Sequence, residues 1–188
     1  MTVEAYIELE QSAGERHEYL DGSVYAMSGG TFAHDALSTA AAAELRDLLR
    51  GGPCVAAGPN LRVKSLASGL YTYADALVTC SPRFEDERRT TLLNPRVVIE
   101  VLSEATEAYD RGDKFAHYRA IDSVDDYVLV STTSRRVEVF TRSTSAWELR
   151  EYRGDADLVL PSVSVRISLT KLYAGVELDP ARGTTPGA

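Results

Sequence analysis

Apolar positions recur every three to four residues in two stretches near the start of the chain. Elsewhere they mostly alternate or run without a break. Residues 2–11 carry Val3, Tyr6 and Ile7 among acids at helical spacing, which predicts a short surface helix capped by Thr2. Residues 31–50 form the clearest helical stretch: Ala33, Leu37, Ala40, Ala41, Leu45 and Leu48 fall along one side with Glu44. Its Ala- and Leu-rich composition favours helix, and Gly51-Gly52-Pro53 ends it. The small side chains on the apolar side predict close packing against a sheet.

The strand pattern takes over on either side of that helix. Residues 16–30 read as a hairpin turning at Asp21-Gly22, with Glu18 and Tyr25 in its arms. Residues 54–57 and 61–64 read as strands broken by Gly58-Pro59-Asn60. Residues 71–80, YTYADALVTC, read as one strand centred on Asp75, and 82–91 as a charged loop. Residues 96–102 are rich in Val and Ile, a buried strand with Glu100 in its middle. Asp110 then reads as the cap of a helix carrying Lys114 and His117 in its first two turns. Further strands are expected at 126–131, at 136–142 paired with 147–152, and at 159–167, before a helical turn at 169–173. This order of hairpin, long helix, strands, helix and strands is that of an α+β protein with a mixed sheet flanked by helices and extra hairpins.

Composition changes that picture little. With 188 residues, one domain is expected over residues 1–182, and residues 183–188 as a disordered tail. Hydrophobic residues make up 44% and charged residues 26%, an ordinary soluble balance, and no apolar run is long enough for a membrane span. The first residues are acidic and amphipathic, unlike a secretory signal, so a cytoplasmic location is expected. Cys54 and Cys80 are too few for a disulfide framework or a zinc cage. Net charge is −8, and the negative excess sits in the first third of the chain, while residues 61–120 balance at nine acids and nine bases. Such a protein has no general pull on nucleic acid, but it can meet phosphate locally through a divalent cation.

Two readings of the mid-strand acids follow. Glu100 shares a strand face with Val98 and Leu102, and a carboxylate there needs a cation beside it. If Asp75 and Glu100 meet across a sheet, their mutual repulsion favours a cation between them, and oxygen donors suit Mg²⁺ or Mn²⁺. Lys114 would then offset charge on a phosphoryl group. In the alternative, each acid is structural and has its own arginine. His34, in the first turn of the long helix, reads as a packing residue rather than a ligand, and Tyr25, Tyr71 and Tyr73 as packing residues.

The segments RHEYLDGSVYAMSGGTFAH, YADALVTC, NPRVVIEVLSEATEAYDRGDKFAHYR, DDYVLV and RRVEVF occur in that order. Together they resemble the Uma2 family (DUF820) over nearly the whole chain. The resemblance implies the PD-(D/E)XK, restriction endonuclease-like fold. It also implies Asp75 and Glu100 as metal ligands, joined by Glu18 from the hairpin, and a lysine displaced from its usual strand position. Two residues depart from the pattern: Ala74 stands before Asp75 where the family usually has Pro, and Leu102 stands where the fold's name expects Lys. Lys114 is the candidate replacement, with Lys64 as its competitor. The implied function is a Mg²⁺-dependent endonuclease acting on DNA, as a homodimer. The alternative is a binding module of the same fold, weak in catalysis, that contacts nucleic acid or protein.

Overall fold

A computed structural model describes residues 1–27 and 29–180, so the expected tail at 183–188 lies outside the described residues. Helix α1 (Val3–Ser12) is capped by the Thr2 side chain, which accepts from the Ala5 amide, and buries Tyr6. The hairpin β1 (His17–Leu20) and β2 (Ser23–Ala26) turns at Asp21-Gly22, where both residues have positive φ, as a two-residue hairpin turn requires. Helix α2 (Phe32–Leu48) starts at Thr31, whose hydroxyl accepts from the His34 amide, and buries Ala33, Leu37, Ser38, Ala41 and Leu45.

The next strands divide between two sheets. Strands β3 (Cys54–Ala57), β4 (Arg62–Lys64), β5 (Tyr71–Tyr73), β6 (Ala76–Cys80), β7 (Thr91–Leu92) and β8 (Val97–Leu102) lead to the helices α3 (Glu107–Arg111) and α4 (Asp113–Arg119). Strands β9 (Asp126–Ser131), β10 (Arg136–Arg142) and β11 (Trp147–Arg153) complete the larger sheet. The strand order is β11-β10-β9-β8-β6-β3 in this sheet and β2-β1-β5-β4-β7 in the other. Pairing of β8 with β9 is parallel and the rest of the larger sheet antiparallel, so the sheet is mixed. A last hairpin, β12 (Asp157–Leu160) and β13 (Val165–Ser168), precedes α5 (Leu169–Leu172).

Strand β8 is buried along its whole length because its two faces meet different cores. Val97, Ile99 and Val101 pack with Leu37, Ala41 and Leu45 of α2, as the small side chains of that helix allow. Val98 and Leu102 pack with Phe115 and Tyr118 of α4. Glu100 shares the α4 face by strand alternation.

Three local expectations are corrected. Residues 71–80 are not one strand: β5 pairs in the small sheet and β6 in the large one, and the chain crosses between them at Ala74-Asp75. Asp110 is not a cap but lies inside α3, and Gly112 breaks the chain into two helices. A Cβ at Gly112 would stand 3.1 Å from the Ala108 carbonyl oxygen, so the break favours glycine. Residues 159–167 form a hairpin closed by a 3-10 turn rather than one extended piece.

The cysteines supply a fourth difference. Cys54 and Cys80 are direct partners on β3 and β6 and are joined as a disulfide. Their 26-residue separation hid a pairing that only the strand register creates.

Candidate active site

Four elements bring the candidate residues to one cavity of about 1000 Å³. Glu18 comes from β1, Glu100 from β8, Lys114 from α4, and Asp75 from the crossing between the sheets, and all four line the cavity. The first three are at least 93% buried. The ladder between β6 and β8 ends with Ala76 opposite Ile99, and one further step sets Asp75 beside Glu100. Asp75 Oδ2 accepts from the Val101 amide at 2.7 Å, which ties it to the strand that carries Glu100. On the other side, the Ser38 hydroxyl of α2 donates to the Asp75 carbonyl.

Lys114 is the centre of the charge cluster. Its Nζ lies 3.0 Å from Glu100 Oε2, 3.5 Å from Glu18 Oε1 and 3.7 Å from Asp110 Oδ1, and it donates to the Tyr73 carbonyl. Asp110 and Lys114 lie on either side of the break at Gly112 and still face each other at i, i+4 spacing. Glu18 is held from both oxygens: Thr72 donates to Oε1 and Tyr109 to Oε2 at 2.8 Å. Each oxygen keeps a second lone pair for the cation that the resemblance implies there, and the geometry also suits Glu18 to orienting Lys114.

Glu100 is different. Its Oε1 is buried and makes no hydrogen bond among the described residues, and neither does the buried Tyr118 hydroxyl. The two still sense each other, because burial first and then the Glu100 and Glu18 charges hold the Tyr118 phenol well above its ordinary range.

Electrostatics point one way. Burial, with Asp110 and Asp75 adding to it, pushes the Glu100 carboxyl well up despite Lys114. Burial raises Asp110 as well. Burial pulls the Lys114 ammonium down, but Glu100, Glu18 and Asp110 outweigh it and hold it well above an ordinary lysine. Burial is the first cause for the two acids and opposes the rise of the lysine; the surplus of neighbouring carboxylates adds to the first effect and overcomes the second. Around the whole cavity, seven carboxylates face one lysine and one arginine among the described residues.

The alternative of independent acids, each with an arginine, does not describe these partners. Asp75 is held by Val101 and His34, Glu100 by Lys114. The competing lysine, Lys64, pairs with Glu85 and lies over the Tyr71 ring, and it does not line the cavity. Leu102, at the expected lysine position, is buried in the α4 core. Tyr71 and Tyr73 pack as expected, but Tyr25 is 55% exposed on the cavity wall. Asp110 and His34 are the residues that sequence reasoning left out of the site. The signals available were the i, i+4 spacing of Asp110 to Lys114 and the position of His34 at a helix start. Among the described residues, no three or more His, Cys, Asp or Glu side chains already surround a common metal position.

This mixed sheet, with helices on both faces and buried acids meeting a lysine at one of its inner strands, has the α+β, restriction endonuclease-like fold. The chain is similar to the crystal structure of "a putative nuclease belonging to DUF820" from Anabaena variabilis. The TM-score is 0.73 at 17% identity, with 93% of this chain and 98% of that one covered. The sequence model of Uma2, described as "Putative restriction endonuclease", matches residues 3–172, and the chain belongs to the Uma2 family. Among its relatives in Synechocystis, the uncharacterized protein slr1290 is 34% identical over 178 residues, covering 94% of this chain and 93% of the relative. The uncharacterized protein sll1609 is 26% identical over 157 residues, covering 82% and 89%.

Proposed function

We propose that this chain is a metal-dependent endonuclease that hydrolyses a phosphodiester bond of DNA, as a homodimer in the cytoplasm. The observation that carries the reading is Glu100: a buried carboxylate with one oxygen on Lys114 and the other without a hydrogen bond among the described residues, beside Asp75 at a cavity. An excess of buried negative charge with an open carboxylate oxygen fits a divalent cation. Asp75 and Glu100 would hold Mg²⁺ or Mn²⁺. Two protein carboxylates suit Mg²⁺, which usually keeps several waters.

The chemistry that such a cation supplies is a lowered pKa for an attacking water and charge neutralisation on the phosphoryl group. The chain's own residues do the rest. Val101 N–H and the ladder end hold Asp75 in place. Glu18, fixed by Thr72 and Tyr109, orients Lys114. The Lys114 ammonium would offset charge that develops on the phosphoryl group. A homodimer would supply one site for each strand, and twofold pairing is the commonest oligomer symmetry. In a reducing cytoplasm Cys54 and Cys80 would stand as thiols, on strands that remain paired through four residue pairs.

A second reading, a binding module without turnover, is favoured by the enclosure of Lys114. Three carboxylates and the Tyr73 carbonyl surround its ammonium, and only 4% of the residue is exposed. A cleavage assay separates the two. Supercoiled, linear and single-stranded substrates are incubated with Mg²⁺ or Mn²⁺, with Asp75→Ala as control. Metal-dependent cutting lost in the control is the expected result; metal binding with no cutting of any substrate would select the binding module.

A further inference from the structure

The nuclease reading leaves one charged contact unused. His34 Nε2 lies 3.3 Å from Asp75 Oδ2, the same oxygen that accepts from the Val101 amide. The imidazole is about one-fifth exposed and lines the cavity wall opposite the strand that carries Glu100. Its position is built rather than incidental. Thr31 caps α2 by accepting from the His34 amide, which sets His34 in the first turn. Behind the ring stands Gly30, where a Cβ would come within 2.6 Å of His34 Cγ and Nδ1. Any side chain at position 30 would therefore meet the ring, so the ring can press on the backbone and aim Nε2 at Asp75 only because that residue is glycine.

We infer that His34 is a positioning residue for the metal site, acting through Asp75. This rests on the reading of Asp75 and Glu100 as the cation's holders. Asp75 has no strand on one side, because the chain crosses between sheets there. A carboxylate at such a crossing swings freely unless it is held on both sides. Val101 N–H holds Oδ2 from the strand and His34 Nε2 holds it from the helix, which directs the remaining oxygen, Oδ1, to the cation. An N–H at Nε2 is enough for this. Groups that orient a metal-binding carboxylate in this way typically change metal affinity about ten- to a hundredfold when they are removed.

The test measures Mn²⁺ affinity by calorimetry and by electron paramagnetic resonance, which reads binding apart from activity. Wild type should bind, and Asp75→Asn should not. His34→Ala should bind about ten- to a hundredfold more weakly. His34→Gln, whose amide can still donate to Asp75, should recover most of the loss. Gly30→Ala keeps the histidine but displaces its ring, and should weaken binding like His34→Ala. Thermal melts in metal-free buffer identify any variant that fails to fold. His34→Ala binding as tightly as wild type, while Asp75→Asn does not bind, overturns the role of His34 and leaves the metal site standing. No binding by wild type removes both. Nitrogen coupling from a bound imidazole in the wild-type Mn²⁺ spectrum would make His34 a ligand and overturn its role as a positioning residue.

Discussion

Two buried acids on neighbouring strands behave in opposite ways. Asp126 opens β9 and is fully buried, yet both of its oxygens are satisfied: Thr141 donates to Oδ1 at 2.7 Å and Ser162 to Oδ2. Glu100, on β8 beside it, has one oxygen on a lysine and the other without a hydrogen bond among the described residues, and it lines an open cavity. Burying a carboxylate costs free energy in either place. Hydroxyls offset that cost for Asp126 locally, and the result is a structural anchor between β9, β10 and the last hairpin. Glu100 is compensated by a shared ammonium alone, which leaves an unmet demand for positive charge. Burial of an acid is thus no sign of function; incomplete compensation next to open space is the better sign.

The largest test of this contrast is Lys114→Met. It removes the counter-charge from Glu18, Glu100 and Asp110 together, and breaking a buried pair in this way typically costs about 3–5 kcal/mol. Urea denaturation measures it, and a loss below about 1 kcal/mol would show that the lysine is not what holds the cluster. In the cleavage assay, losing such a charge should lower the rate about a hundred- to a thousandfold, and Lys114→Arg should not restore it.

Metal linkage comes next in size. At a Mg²⁺ or Mn²⁺ concentration a hundred times the dissociation constant, wild type should gain about 2.7 kcal/mol. Asp75→Asn and Glu100→Gln should lose most of that gain, while Asp126→Asn keeps it. Equal metal shifts in all four proteins would erase the distinction between the two acids.

Acid titration gives a smaller effect with a definite sign. The Glu100 and Asp110 carboxyls are raised above their ordinary values of 4.5 and 3.8. A raised folded-state value means stability that is fully present below those values and lost as pH rises through the folded ones. In metal-free buffer, stability should therefore fall as pH climbs from about 4, and saturating metal should flatten the decline. Thermal melts of wild type and Glu100→Gln across pH with and without chelator check this; a metal-free wild type that does not lose stability relative to Glu100→Gln as pH rises would reverse the charge argument.

The smallest effect is also the sharpest comparison. Asp126→Asn in metal-free buffer should cost about 1 kcal/mol, because an amide group replaces one acceptor of a hydroxyl donor. Glu100→Gln in the same buffer should melt above wild type, since it removes a buried charge and a repulsion that Lys114 offsets only in part. Melting changes of the same sign in both variants would mean that the two acids are compensated alike.

Much of this was legible in the residues alone. Helical spacing and caps located α1 and α2, Asp21-Gly22 located the first hairpin, and unbroken Val and Ile located β8, because these signals act within a few residues of chain. The family resemblance pointed to Glu18, Asp75, Glu100 and Lys114, and the fold set all four on one cavity. What the residues could not carry were the relations between distant elements. That YTYADALVTC changes sheets at Asp75 depends on which strands are free to pair with each half. Whether Glu100 or Asp126 is left uncompensated depends on hydroxyls and an ammonium brought from elsewhere, between 14 and 36 residues away in sequence. Local pattern decides where a helix or strand forms, because backbone and neighbouring side chains suffice. The charge balance of a buried site is decided only when the tertiary structure brings its partners within a few ångströms, because electrostatic compensation depends on distance in space and not along the chain.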